Sequence, residues 1–260
     1  MTYAYTLGFN LVSEIAESMR RMSEQNDARD YKHFLINLDF PLEKGDEIPR
    51  DVRIAKKNNT ESLKELALKY GSTYLHFPNI GVSQNTANFV RYVNIGNDDF
   101  VVSVEPDEIQ NEGGWIRSQT EVLQKDEILG YVAPILVDAI PFIENNPNAP
   151  IENIAGHDVY IVNGNMNYGN VAYSGKFINK MGGIPFPPSM PVYGGLEFSL
   201  KQHLDKHKMR WGLMKDYTTT HEQVVVPLYR EWKNYLILEN PNQKQISFEE
   251  WLVLKKWGKI

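Results

Sequence analysis

The segment from Phe100 to Glu108 joins an apolar run to three acidic side chains, and it is where the sequence points most directly to chemistry. The run Phe-Val-Val-Ser-Val predicts a buried strand, and Glu105, Asp107 and Glu108 follow it at once. Open α/β sheets bind their ligands outside the carboxyl ends of the strands, so these carboxylates fall where a ligand is expected. Carboxylate oxygens suit Mg²⁺ or Mn²⁺, and such a cation can bridge them to a diphosphate. The pattern predicts a metal and phosphate site, although a solvated turn or a helix N-terminus also accounts for such a cluster taken alone.

Composition limits the other classes of function. The chain of 260 residues contains no cysteine, which excludes disulfides, thiolate metal sites and a cysteine nucleophile. A net charge of −6 argues against broad, sequence-independent binding to nucleic acid, although a local basic groove can coexist with it. No apolar stretch approaches the roughly 20 residues of a membrane span, and the first residues lack the features of a signal peptide. We therefore expect a cytoplasmic protein without a membrane span, in which oxygen and histidine ligands hold any metal.

Strand and helix patterns alternate in the first half of the chain. Strands are predicted at 3–9, 33–38, 73–77 and 100–104, and helices from Ser13 onward, at 60–70 and at 84–93. The polar segment 41–58 predicts a loop. This alternation is typical of an α/β fold with a mostly parallel sheet sandwiched by helices.

The second half is richer in glycine and proline turns, which often form the walls of binding sites. It ends in two tryptophan-bearing helical stretches, 227–238 and 247–257. These stretches predict a short C-terminal helical extension.

Several motifs surround the acidic residues in a fixed order along the chain. They are Tyr5-Thr6-Leu7-Gly8-Phe9-Asn10, Ile36-Asn37-Leu38-Asp39, the segment 77–88 with Asn79-Ile80-Gly81, Glu105-Pro106-Asp107-Glu108, and the segments 173–183, 193–200 and 212–221. In this order they resemble the nucleotide-sugar-dependent glycosyltransferases of the GT-A fold, especially the broad family-2-like group. The resemblance covers residues 3–225 and implies a Rossmann-like GT-A domain.

The resemblance implies a set of side chains and backbone groups that bind the nucleotide sugar. They are Thr6, Phe9, Asn10, Asp39, Asn79, Gly81, Asn85, Asn88 and Glu105. Gly81 lets the backbone pass close to the nucleotide, and the helix that follows offers unpaired N–H groups. After Asp39, Phe40-Pro41-Leu42-Glu43 replaces the family's usual Asp-Gly-Ser-Thr-Asp.

The resemblance also implies a metal site and a catalytic base. Asp107 falls on the family's Asp-x-Asp motif as a metal ligand, and Glu105 replaces the first Asp with a longer side chain that binds metal or ribose. His221 lies where a histidine completes the metal site in many members. Glu197 holds the place of the general base of inverting members, although Leu196 replaces the Glu usual beside it. The implied cofactor is Mn²⁺ or Mg²⁺, and a UDP-sugar is the favoured donor.

The predicted organisation is a GT-A domain at 1–225 followed by the extension at 226–260. Within the domain, 1–110 forms the nucleotide-sugar-binding half and 111–225 the acceptor-binding half. The predicted reaction moves a sugar from a nucleoside-diphosphate sugar to an acceptor hydroxyl, on a glycan or, with less support, on a protein or a modified DNA base. The donor sugar, the stereochemistry and the oligomeric state stay open.

Two other functions remain compatible with the same sheet. A nucleotidyltransferase also uses carboxylates and Mg²⁺, but it usually carries a glycine-rich basic loop after the first strand, which the segment 7–13 lacks. A non-catalytic protein that binds a sugar nucleotide or a glycan is the other, because Glu105 and Leu196 differ from the residues that are usual in the family.

Some residues that could bind ligands have a simpler interpretation. His203 and His207 are spaced as helical metal ligands, but no Glu follows His203 as in the metalloprotease pattern, so they predict a solvated helix face. At most one or two aromatic side chains are expected to stack on sugar rings, because most aromatic residues belong to the core; the candidates are Trp115, Tyr168, Tyr173, Phe186 and Tyr193.

Overall fold

A computed structural model describes residues 1–8, 12–39, 50–78, 82–144, 149–163, 169–185, 196–221, 231–232, 235 and 248–259. Its strands are β1 (Thr2–Gly8), β2 (Lys32–Asp39), β3 (Thr73–Pro78), β4 (Phe100–Ser103), β5 (Glu108–Gln110), β6 (Leu129–Leu136), β7 (Ile151–Ile154), β8 (His157–Val162), β9 (Ala172–Ser174) and β10 (Arg210–His221). Its helices are α1 (Val12–Glu24), α2 (Arg50–Lys69), α3 (Val82–Val93), α4 (Trp115–Lys125), α5 (Ile140–Glu144), α6 (Gly175–Met181), α7 (Leu196–His207) and α8 (Phe248–Lys256), and Val137–Ala139 form a turn of 3₁₀ helix.

The strands form one sheet in the order β3-β2-β1-β4-β9-β6-β10-β8-β7, with β5 paired to β10. β1, β2, β3 and β4 pair in parallel, as do β6 and β10, whereas β9, β8 and β7 enter antiparallel to their neighbours. The predicted α/β fold with helices around a largely parallel sheet is confirmed, and its antiparallel pairs lie in the second half. The strand order reverses between β1 and β4, where sheets of this kind open a crevice for ligands.

Successive side chains of the central strands point to opposite faces of the sheet, so the core is divided between these two faces. Tyr5 and Val101 face a cluster that includes residues of α3, α6 and α7, and Ala4 and Val102 face the opposite cluster with residues of α1 and α4. A smaller cluster joins α1 and α2 over Leu35. Helices on both faces keep β1 and β4 in place, and the acidic turn follows β4.

The first helix follows its apolar pattern. Ile15, Met19 and Met22 lie on one face of α1 and are buried, as their spacing predicts. The helix begins at Val12, one residue before the predicted start at Ser13, and the Ser13 hydroxyl donates to Glu14 at 2.6 Å and does not cap the helix.

The second helix is longer than predicted. α2 begins at Arg50 and not near residue 60, so the described part of the predicted loop at 41–58, which is 50–58, is helical. Residues 50–58 contain two Arg and two Lys, which have high helix propensity, so a polar composition there is compatible with a helix.

The C-terminal helix α8 occupies most of the predicted stretch 247–257 and contacts α2. The other predicted stretch, 227–238, lies largely outside the described residues. The division at residue 225 stays a prediction. Over the described part of the chain, no helix is long and apolar enough to cross a membrane.

Candidate active site

The acidic turn lies at the carboxyl end of β4, beside the carboxyl end of β1. β1 and β4 are parallel neighbours with Tyr5 opposite Ser103, and the N–H of Val104 donates to the carbonyl of Tyr5 at 2.9 Å. β2 and β3 are parallel to β1, so the ends of all four strands meet at one edge of the sheet. The sequence therefore places its acidic residues in the crevice at the point where the strand order reverses.

A second chain segment reaches the same turn from the far end of the sequence. β5 pairs antiparallel with the end of β10, and this register places His221 directly opposite Glu108. Between Met214 and Thr218 the pairing of β10 with β6 shifts, which is an irregularity of the bulge type. The backbone of His221, a predicted metal ligand, therefore lies opposite the residue that follows Asp107. Nothing of the His221 side chain is described.

The surroundings of Glu108 disfavour its charged form. Burial, together with the nearby carboxylates of Glu105 and Asp107, raises the pKa of Glu108 to about 8. Ser103 Oγ donates to Glu105 Oε1 at 2.9 Å and so orients that side chain. A divalent cation would relieve this repulsion, so the donor chemistry fits one. Over the described residues, no three potential ligand side chains already surround one point.

The predicted nucleotide-binding residues of β1 and α3 lie close to this edge, but their side chains differ in exposure. Thr6 is fully buried, and its hydroxyl lies 3.1 Å from Nε2 of His33, so this side chain is engaged within the core. Asn85 is also fully buried, and neither atom of its amide has a partner among the described residues. Asn88 is part-buried and accepts a hydrogen bond from Arg91 at 3.4 Å.

A hydroxyl pair links α3 to the strands that carry the acidic turn. The hydroxyls of Tyr5 and Thr86 are 3.0 Å apart within the core. Burial raises the pKa of Tyr5 to about 12, so its phenol stays neutral and can donate. Thr86 follows Asn85 directly, and Tyr5 lies opposite Ser103, so α3 is fixed relative to β4.

Several predicted site residues fall where only the backbone, or nothing, is described. Asp39 ends β2 and Glu197 lies in the first turn of α7, and nothing of either side chain is described. Phe9, Asn10, Asn79 and Gly81 lie outside the described residues. Their roles stay predictions.

Two of the five aromatic candidates for sugar stacking are excluded by their burial. Trp115 and Tyr173 are core residues with 0% and 3% exposure, because Trp115 packs in the first turn of α4 and Tyr173 lies in the central strand β9. Neither can stack on a bound sugar as it stands. Tyr168, Phe186 and Tyr193 lie outside the described part of the chain.

His203 and His207 are not the solvated pair that their spacing predicts. Both side chains are part-buried, and their rings lie 6.0 Å apart and nearly parallel. Burial and the neighbouring Lys206 lower the pKa of His203. The pair is a packed feature of α7.

Asn170 contacts the acidic turn although no motif in the sequence includes it. This residue lies before β9 and is fully buried, and it contacts the acidic turn through its side chain. The available signal is the Gly169-Asn170 pair, because Asn after Gly in a turn commonly adopts the left-handed conformation seen here (φ 53°).

No protein-family model and no curated protein matches this sequence. The fold, in contrast, matches solved structures of glycosyltransferases. A mannosyltransferase from Pyrobaculum calidifontis, solved with GDP-Man and Mn²⁺, has a TM-score of 0.55 and 12% identity, over 95% of this chain and 65% of that one. GalNAc-T7, solved with UDP, GalNAc and Mn²⁺, has a TM-score of 0.58 and 12% identity, over 100% of this chain and 54% of that one.

A third structure, S. aureus TarS in complex with UDP-GlcNAc, has a TM-score of 0.52 and 11% identity over 98% of this chain and 71% of that one. The predicted GT-A fold is confirmed by these likenesses. The chain spans under two thirds of the mannosyltransferase and of GalNAc-T7. At 11–12% identity the likeness concerns the fold.

Proposed function

We propose that this protein is a metal-dependent glycosyltransferase that moves a sugar from a nucleoside-diphosphate sugar to an acceptor hydroxyl. One observation carries the proposal. The acidic turn 105–108 lies where the strand order reverses between β1 and β4, and β10 brings His221 into register with it. The fold that this chain shares with glycosyltransferases solved with nucleotide sugars and Mn²⁺ supports the same reaction class.

In this proposal Asp107, Glu105 and His221 hold Mn²⁺ or Mg²⁺ at the end of β4. The bound cation would neutralise the charge that develops on the diphosphate leaving group. Ser103 keeps the Glu105 carboxylate oriented through a hydrogen bond of 2.9 Å. Because this side chain is already restrained, the site needs little reorganisation when the reaction takes place.

The nucleotide would lie along the carboxyl ends of the parallel strands. The backbone of β1 beyond Thr6, the end of β2 at Asp39, and the segment from Asn79 into α3 contribute to this surface. Asn85 offers a buried amide without a partner among the described residues, and such a group is stabilised when a polar ligand pairs with it. A UDP-sugar remains the favoured donor.

The acceptor would bind over the second half of the chain, residues 111–225, with Glu197 as the base if the reaction inverts the anomeric centre. A base must come within hydrogen-bond reach of the acceptor hydroxyl. Glu197 lies in the first turn of α7, where a carboxylate is also favoured by the helix dipole. We favour a hydroxyl group of a glycan as the acceptor.

The proposal is tested by nucleotide binding on the wild type and on Asp107→Asn. Isothermal titration with UDP-, GDP-, CMP- and dTDP-sugars, with and without Mn²⁺, should identify one nucleotide whose affinity depends on the metal. Asp107→Asn should weaken that metal-dependent binding by about tenfold or more, because it removes a charged ligand but keeps the shape. Asp98→Asn is the matched control, since Asp98 is exposed and precedes β4 at the opposite edge of the sheet.

Three outcomes separate the alternatives. Metal-dependent binding accompanied by release of the nucleoside diphosphate from the donor supports the transferase. Binding with no release, even with added saccharide acceptors, favours the non-catalytic binding protein. The absence of binding to every nucleotide sugar contradicts the proposal.

A further inference from the structure

Asn170 lies at the centre of the contacts that shape the acidic turn. Its Oδ1 accepts a hydrogen bond of 2.8 Å from the N–H of Glu105, and its Nδ2 donates to Glu108 Oε2 at 3.4 Å. Its own carbonyl accepts from Nε2 of the buried Gln119 at 3.0 Å. One side chain, 65 residues away in sequence, therefore contacts both ends of the turn.

The backbone at this position is adapted to the contact. Asn170 has a φ of 53°, in the left-handed region that Asn tolerates better than other residues with a side chain. The preceding Gly169 lies directly against the turn, since a Cβ added there would be 1.9 Å from a carboxylate oxygen of Glu108. The strand β9 follows at Ala172 and pairs with β4, so the whole segment is held by the sheet.

The energetic argument concerns charge. Three acidic side chains lie within four residues, and like charges held this close together repel one another. A free turn would relieve this repulsion by spreading its carboxylates into solvent. The bonds to Asn170 oppose that movement, because breaking them leaves a fully buried amide unpaired.

We propose that Asn170 is the positioning residue of the candidate metal site, which holds the acidic turn in the conformation that receives the divalent cation. This inference rests on the proposed function. Asn170 touches the turn and not the substrate, and it acts by fixing the backbone at Glu105 and the carboxylate of Glu108. Removal of such a supporting partner typically weakens metal binding by about 10–100-fold.

The main test variant is Asn170→Gly, which removes the side chain but accommodates the left-handed backbone. Its matched control is Asn94→Gly, since Asn94 also has a left-handed backbone (φ 52°) but is exposed at the end of α3. Mn²⁺ binding is measured by electron paramagnetic resonance of the free ion, alone and with saturating UDP or GDP, below the unfolding temperature of every variant.

We expect Asn170→Gly to raise the dissociation constant of Mn²⁺ by about tenfold or more, and excess Mn²⁺ to restore nucleotide binding to the wild-type level. A variant that is merely destabilised but still folded at this temperature keeps the wild-type dissociation constant for Mn²⁺. The N–H of Glu105 should also exchange faster with solvent in Asn170→Gly. Asn170→Asp should keep this exchange slow, because it retains the acceptor oxygen.

The outcomes distinguish the two proposals. If the wild type binds Mn²⁺ with UDP or GDP and Asn170→Gly binds it equally well, Asn170 is not a positioning residue, and the proposed function stands. If the wild type binds neither nucleotide with Mn²⁺ nor any other sugar nucleotide, both proposals are wrong. If Asn170→Gly does not fold, Asn170→Ser replaces it, since the shorter side chain cannot span both partners, and the same expectations apply.

Discussion

His33 connects three structural segments through its two ring nitrogens. Nε2 lies 3.1 Å from the hydroxyl of Thr6 in β1, and Nδ1 lies 2.7 Å from the hydroxyl of Ser72, just before β3. Burial lowers the pKa of His33 from 6.5 to about 4. At neutral pH the ring is therefore uncharged and can both donate to one hydroxyl and accept from the other.

This lowered pKa predicts a loss of stability in mild acid. Between pH 6.5 and about 4 the unfolded chain binds a proton at His33 that the folded chain does not. The free energy of unfolding must then rise with pH across this window, by at most about 1.4 kcal/mol per pH unit for a single proton. The stabilisation that the neutral ring gives to the folded state is fully present above pH 6.5 and is lost as the pH falls from 6.5 to about 4.

The measurement is urea denaturation at several pH values for His33→Gln and the wild type. The variant, which has no group to titrate, should be less stable near pH 7, and the difference should shrink toward pH 4. His157→Gln is the control, because the partly exposed His157 in β8 lies 3.5 Å from the carboxylate of Glu121 and contacts neither Thr6 nor Ser72. A stability difference that stays constant with pH would show that His33 does not titrate in this way.

At the scale of the element, α6 is held by a contact between two backbones. Gly175 is the first residue of α6, and its N–H donates to the carbonyl of Asp99 at 2.8 Å. A Cβ at this position would lie 1.9 Å from the carbonyl oxygen of Gly96, so the helix approaches the turn before β4 as closely as glycine permits. The start of β4 and the start of α6 are therefore fixed to each other.

Gly175→Ala should lower the free energy of unfolding by about 1–3 kcal/mol, because a carbonyl oxygen cannot rotate away as a side chain can. Gly113→Ala is the control, since no heavy atom lies within 4 Å of an added Cβ there. Both values come from urea denaturation followed by circular dichroism. Equal stability of the two variants would contradict the close approach of α6.

The elements that the sequence predicts well are those whose pattern is local. The buried face of α1 at Ile15, Met19 and Met22 follows from spacing alone, and so does the placement of an acidic turn after β4. The start of α2 was missed because the polar run after Arg50 is compatible with either a loop or a surface helix. A local pattern contains nothing about the packing that decides between them.

The site needs contacts between distant segments, and these were only partly predictable. His221 was placed beside the acidic residues through the resemblance to glycosyltransferases, and the register with Glu108 agrees with that placement. Asn170 was not found, because its partners Glu105 and Glu108 are more than 60 residues away and no motif includes it. Only the three-dimensional fold shows which buried amide meets the turn.

At the scale of the whole molecule, the open question is whether the C-terminal segment belongs to the same folding unit as the sheet. α8 contacts α2, which in turn packs on β2 and β3. Within α8, Trp251 is buried at 4% exposure, whereas Trp257, just beyond the helix, is 48% exposed. The two tryptophans therefore allow one matched comparison of a buried and an exposed side chain.

If α8 completes the core over α2, Trp251→Ala should destabilise the entire molecule by about 3–5 kcal/mol, because it removes a large buried side chain. Trp257→Ala should change stability by about 0.5 kcal/mol or less. Thermal unfolding is followed by far-UV circular dichroism and by differential scanning calorimetry, and one cooperative transition that moves to lower temperature is expected for Trp251→Ala.

The opposite result is equally informative about the proposed boundary at residue 225. If α8 folds apart from the sheet, Trp251→Ala leaves the main transition where it is and removes only a small, separate one. The proposed extension at 226–260 would then be an independent unit. A shift of the main transition instead makes α8 part of the support for α2, and through α2 for β2 and β3, whose ends lie at the proposed nucleotide-binding edge.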